Sequence, residues 1–170
     1  YLQLVDTEYY PAAKEQYAFD KEHGYPTMVY EAMQTYTETY NRGCIVSLYW
    51  ERYAFTGGAH GNTVRGSETW NLQGCGRLAL TDLFGCGIDP KTYILREAGR
   101  QIEKEPGIYF PDYEKLLAEN FREESFYTTP DGLVFYYQQY DIAPYSSGIR
   151  TFLIPYGKCV RDPIRTCFRI

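Results

Sequence analysis

Histidine is scarce in this sequence: His23 and His60 are the only two among 170 residues. A Ser–His–Asp site needs a histidine, and a structural zinc centre needs several His or Cys donors within reach. Neither histidine belongs to a His-x-His or His-x-x-x-His pair, and no Cys-x-x-Cys occurs, so no metal site is expected. Long apolar runs are also missing. Nothing approaches the roughly 18–20 residues that cross a bilayer. The first residues have no signal-type apolar region, so any leader or anchor is expected outside this chain. Basic charge is in deficit, with 17 Lys and Arg against 22 Asp and Glu and a net charge of −5. Nucleic acid, whose phosphates demand clustered cations, is therefore not an expected partner.

What is present is tyrosine. The chain carries 19 Tyr against 9 Phe and 2 Trp. Tyr buries a large ring at low entropic cost and keeps a hydroxyl for water or a partner. Two readings follow: rings half-buried on sheets, where Tyr has high strand propensity, or a surface that recognises protein or sugar. Hydrophobic residues make up 44%, enough for a core in one domain or two small lobes sharing one.

The five cysteines are Cys44, Cys75, Cys86, Cys159 and Cys167. Cys75 and Cys86 sit between glycines, and Cys159 and Cys167 lie in the C-terminal tail. Disulfides there would staple loops with little core of their own, as in exported proteins; five reduced thiols is the alternative. Cys44 lies in an apolar strand and reads as a small buried hydrophobe.

Leu2, Val5, Tyr9, Ala13 and Tyr17 recur at helical spacing, with Pro11 placed to kink or divide the helix. Gly24-Tyr25-Pro26 ends it. Met28–Tyr40 and Cys44–Phe55 read as a long hairpin about Asn41-Arg42-Gly43, with Cys44, Val46, Leu48 and Trp50 on the apolar face. A glycine-rich loop, residues 56–62, leads to a third strand, Asn62–Leu72, with Val64, Trp70 and Leu72 together on one face. A short extended piece at 77–80 and a tight turn at 81–84 follow. Residues 91–104 and 112–122 read as helices, the first opened by Pro90 and the second capped by Asp112. Residues 125–129 and 133–140 form a hairpin about Pro130-Asp131-Gly132, and 150–156 form one more strand. The order predicts an α+β fold with largely antiparallel sheets. Residues 1–170 read as a single module, with sublobes 1–80 and 81–170.

Candidate chemistry is thin. His23 lies at a charged helix end, where a solvated histidine is the structural expectation. His60 stands among glycines that expose main-chain amides. The glycine run lacks the Gly-Lys-Ser/Thr ending of a P-loop, and a strand rather than a helix follows it, so it is no dinucleotide fingerprint. Glu123-Glu124 and Glu103/Glu105 are the nearest carboxylate pairs and read as solvated faces. No cofactor is expected, and the chain is expected not to be an enzyme.

Two segments carry a family resemblance. The first is Tyr53-Ala54-Phe55-Thr56-Gly57-Gly58-Ala59-His60-Gly61-Asn62-Thr63. The second runs from Phe126 through Thr129-Pro130-Asp131-Gly132 to Tyr140-Asp141-Ile142-Ala143-Pro144-Tyr145, continuing to Gly148 and Ile154-Pro155-Tyr156. Both resemble the signatures of an extracellular domain family over roughly residues 1–156. That family includes the sensor domain of anti-sigma-V-type factors and the non-catalytic module preceding some peptidoglycan deacetylase domains. The resemblance implies an extracellular or cell-surface α+β module that binds a lysozyme-like protein. A carbohydrate-binding accessory module for cell-wall glycan is the second expectation, and an envelope-polymer enzyme using His60 the third. The residues best suited to meet a partner are Gly57, Gly58, His60 and Asn62 in one loop and Pro144, Tyr145 and Ser146 in another. Rigid Tyr area beside adaptable Ser and Gly is good contact chemistry.

Overall fold

A computed structural model describes residues 1–85 and 87–167, so the expectation for Cys86 lies outside the described residues. The chain begins with a turn of helix at Leu2–Leu4, a π-helical segment Val5–Tyr9 and helix α1, Tyr10–His23. Pro11 accounts for the middle piece. It has no N–H to donate to the carbonyl four residues back, and its ring crowds that turn. The ladder shifts, so that the Tyr10 N–H reaches the Val5 carbonyl five residues back. Gly24 ends α1 in the left-handed region at φ 69°, where a side chain is penalised.

Strands β1 (Glu31–Arg42), β2 (Ile45–Phe55), β3 (Asn62–Asn71) and β4 (Gly76–Arg77) form a sheet in that order. Helices α2 (Pro90–Ile102) and α3 (Tyr113–Glu119) follow. A second, antiparallel sheet comprises β5 (Phe126–Thr129), β6 (Gly132–Tyr137) and β7 (Arg150–Pro155). The fold is α+β, as the segregated order of helices and strands indicated. Asp89 caps α2, its Oδ2 accepting from the Thr92 N–H at 2.8 Å and the Thr92 hydroxyl at 2.7 Å. These bonds hold its carboxyl below the usual range. Asp112 precedes α3 but its side chain makes no cap bond. Its backbone, at φ −100° and ψ 24°, is not the extended conformation that turns a capping carboxylate back onto the first N–H groups.

The chain divides into two compact units, residues 1–35 with 51–64 and residues 36–50 with 65–170. In the first unit the Tyr1 hydroxyl donates to the Tyr53 carbonyl at 2.7 Å, and Arg52 Nε donates to Gln34 Oε1 at 2.8 Å. His23 stacks on Phe19 with centroids 4.2 Å apart. Asp20 is buried and accepts from Gln16 Nε2. The second unit holds the large core. Ile94, Ala98 and Ile102 of α2, Leu117 of α3, and Phe126, Leu133, Phe135, Phe152 and Ile154 of the second sheet pack together with Leu80 and Leu83.

The structure reverses the expected face of β3 and, in β2, leaves Val46, Leu48 and Trp50 half-buried while burying residues of the opposite face. Ile45 and Ser47 of β2, and Ser67 and Thr69 of β3, are buried, whereas Val64, Trp70 and Leu72 are exposed. The inward hydroxyls satisfy the outer edge of β5, which has a partner strand only in β6. Ser47 Oγ accepts from the Thr128 N–H at 3.0 Å, and Ser67 Oγ donates to the Phe126 carbonyl. Ser47 and Thr69 hydroxyls also bond each other at 2.8 Å. A buried edge carries main-chain groups that must be paired, and small hydroxyls at alternate positions supply the partners. Replacing Ser47 with alanine leaves the Thr128 N–H without its acceptor in the interior. The expected loss is about 1–3 kcal/mol in urea unfolding; a loss within experimental error would show that the bond is dispensable.

Cys44 corrects its expectation as well. It is bonded to Cys167, with Cα atoms 5.6 Å apart. Its β2 entry position lies beside the returning tail, where Tyr40, Ile45 and Ile164 pack around Cys167. Cys159 is also disulfide-bonded, and Cys75 is exposed and free.

Several tyrosines are structural. The Tyr40 hydroxyl donates to Asp162 at 2.7 Å, Tyr137 to the Leu117 carbonyl at 2.9 Å, and Tyr156 to the Thr129 carbonyl at 2.9 Å. Burial is the main cause that pushes all three phenols far above their ordinary value of 10.0; Asp162 adds to it for Tyr40 and Tyr156, and Asp141 for Tyr137. Above about pH 10 the unfolded chain loses these protons while the folded chain keeps them. Their stability contribution is therefore complete below that pH and is lost as pH rises beyond it. Phenolate absorbance is expected to rise in two phases, the late phase coinciding with unfolding. A single phase complete before unfolding would refute the assignment.

Candidate partner-binding loops

The first candidate loop joins β2 to β3. Gly57 and Gly58 take φ of 92° and 97°, which a side chain at either position would strain. A side chain at Gly57 would also meet Met28 and Tyr30. His60 is exposed, with Nδ1 2.9 Å from the Gly61 carbonyl oxygen, and Asn62 is exposed at the start of β3. Gly61 is buried beneath the Tyr53 ring, which occupies the space a Cβ would need. Thr56, at the head of this loop, lines a groove of about 260 Å³ with Tyr9, Tyr10, Tyr30 and Val5. That groove was not legible beforehand, because its rings come from the π-helical segment, the start of α1 and the approach to β1, distant in sequence from Thr56.

The second loop joins β6 to β7. Ile142 and Ala143 are buried, Pro144 and Ser146 are exposed, and Tyr145 is half-buried. Both ends are tied down. The Phe110 N–H donates to the Ile142 carbonyl at 3.1 Å, and Ser147 Oγ donates to the Ile108 carbonyl at 3.2 Å. Arg150 donates through Nη1 to the Ser147 carbonyl and through Nε and Nη2 to the Tyr109 hydroxyl. Tyr145 meets Tyr140, their ring centroids 5.8 Å apart. Tyr140 is 53% exposed and takes φ 67°, an uncommon conformation for a non-glycine residue. The turn that imposes it is held by Asp141, whose Oδ2 accepts from the Gln138 N–H at 2.8 Å and pairs with Arg122 at 3.1 Å. Tyr140 was missed as a site residue; its place in the second signature, next to an aspartate able to organise a turn, was the available signal.

The first loop's four residues belong to the first unit, and Pro144, Tyr145 and Ser146 to the second. Among the described residues no group of three or more His, Cys, Asp or Glu is placed to hold a metal ion. No helix among them is long and apolar enough to cross a membrane.

These features define an α+β module presenting glycine-shaped and tyrosine-bearing loops. Residues 81–157 match the model of a family described as a protein of unknown function, DUF3298, and residues 3–63 match the model described as deacetylase PdaC. A crystal structure of a DUF3298 family member from Bacteroides fragilis superposes with a TM-score of 0.65 at 23% identity, covering 92% of this chain and 66% of that one. A DUF3298 family protein from Pseudomonas aeruginosa gives 0.59 at 21% identity, covering 79% of this chain and 64% of that one. The chain therefore shares the fold of solved DUF3298 proteins and spans just under two thirds of their length. Comparison with curated proteins finds no match.

Proposed function

We propose that this chain is a non-catalytic extracytoplasmic recognition module that binds a lysozyme-like protein through the loop between β6 and β7. The observation that carries the reading is the Tyr140–Tyr145 ring pair on a segment anchored at both ends. Rings fixed before binding lose little freedom on contact, which is what gives an aromatic anchor its affinity. Disulfide-bonded Cys44, Cys167 and Cys159 fit an oxidising compartment. The charge of −5 favours encounter with a cationic protein, an attraction that weakens as salt is added. A sensor role like that of anti-sigma-V-type ectodomains is the finer version of the same reading.

Calorimetry against lysozyme tests it. Micromolar binding is expected, with the Tyr140→Ala/Tyr145→Ala variant weaker by about tenfold to a hundredfold, the range of one or two aromatic hot spots. Absence of binding at high micromolar concentration would remove the lysozyme version. The same ring pair supports a second reading, stacking on cell-wall glycan. Pull-down with purified peptidoglycan, compared between wild type and the double variant, separates the two.

A further inference from the structure

We propose that the cavity between β4 and the entry to β5 binds a small zwitterion with an apolar body, an unblocked short peptide of apolar residues. This site lies in the second unit, uses none of the residues of the two loops and does not rest on the recognition reading.

The cavity measures about 320 Å³, within the size range of small-molecule sites. Leu80 and Phe126, both buried, and the half-buried Leu78 supply apolar lining. Charge of both signs accompanies it, with Arg77 contributed by β4 and Glu123-Glu124 by the segment before β5. Arg77 is held rather than loose, because its Nη2 donates to the Ser67 carbonyl at 2.8 Å. Its Nε and Nη1 make no hydrogen bond among the described residues. The carboxylates of Glu123 and Glu124 likewise make no hydrogen bond or ion pair there.

A guanidinium anchored on one edge keeps donors for a carboxylate, and two unpaired carboxylates offer acceptors for an ammonium. An anion alone would leave the glutamates repelling it, and a cation alone would leave Arg77 doing so. A ligand carrying both charges about an apolar middle satisfies every lining group. An unblocked dipeptide such as alanyl-leucine has that chemistry, and free alanine has the charges without the bulk.

Nitrogen-15 NMR titration with alanyl-leucine tests the assignment. Shifts are expected at residues 77–80 and 123–126, with a dissociation constant of about 1 mM or tighter. N-acetyl-alanyl-leucine and alanyl-leucinamide, each lacking one charge, are expected to bind at least about tenfold more weakly, as is alanine. Glu123→Gln/Glu124→Gln, which touches no bond of the fold, is expected to weaken alanyl-leucine by about tenfold with an unchanged urea midpoint. Arg77→Lys is expected to keep more affinity than Arg77→Gln; if Arg77→Gln fails to fold, the glutamate variant decides. No shift at about 20 mM peptide, a level that would saturate a millimolar site, overturns the proposal. So does equal binding of the doubly charged and blocked peptides.

Discussion

Replacing Gly132 with alanine is expected to destabilise the protein by about 3–5 kcal/mol, among the largest effects of a single methyl group. Gly132 opens β6 opposite Pro155 of β7 and Thr129 of β5. An added Cβ would run into the Ile154 carbonyl and approach the Pro155 Cα at 3.0 Å. Both are main-chain atoms of the neighbouring strand, so no side chain can rotate away. Relief requires β7 to move, and β7 contributes Phe152 and Ile154 to the core. Gly99 is the control. It lies within α2, and nothing stands within 4 Å of a Cβ there. Gly99→Ala is expected to stabilise by about 0.5–1 kcal/mol, because alanine loses less freedom on entering a helix. Urea unfolding of both variants checks the pair, and a loss below about 1 kcal/mol for Gly132→Ala, the size of an average substitution, would contradict the packing argument.

Removing the Cys44–Cys167 bridge as Cys44→Ala/Cys167→Ala is expected to cost about 4–5 kcal/mol. The bridge spans 123 residues. Closing a loop of that length takes much entropy from the unfolded chain, and the chain-entropy relation puts the effect in this range. The cluster of Tyr40, Ile45 and Ile164 around Cys167 is expected to loosen with it. Unfolding under oxidising conditions measures the loss. Reductant should destabilise the wild type more than the variant, since the variant retains only the bridge at Cys159. Equal sensitivity of the two proteins would show that this bridge contributes little.

How much was readable beforehand can be judged from particular elements. Helix α2 was legible because Ile94, Leu95, Ala98 and Ile102 repeat at helical spacing behind Pro90, whereas the Asp89 cap came from the structure. The β5–β6 hairpin was legible because Pro130-Asp131-Gly132 is strong turn chemistry. In the second loop, Pro144, Tyr145 and Ser146 were identified as surface candidates, and the structure shows two of them exposed and the ring of the third against Tyr140. Their anchors, Ile108, Tyr109 and Phe110, lie more than thirty residues upstream along the chain, and spacing alone does not reveal such contacts.

The sequence by itself determined the α+β class, the order of its elements and the turns between them, since periodicity and the backbone preferences of Gly, Pro and Asp act locally. Only the tertiary structure decided which faces of β2 and β3 turn inward. Hydrophobic alternation pointed to Val64 and Trp70, but the buried edge of β5 needed hydroxyl partners, and Ser47 and Ser67 provide them. Only the tertiary structure paired Cys44 with Cys167, set Tyr140 beside Tyr145 and placed Arg77 with Glu123 and Glu124 around one cavity. Each depends on groups brought together by folding, and a polar group's burial is settled by whether its bonds are made there.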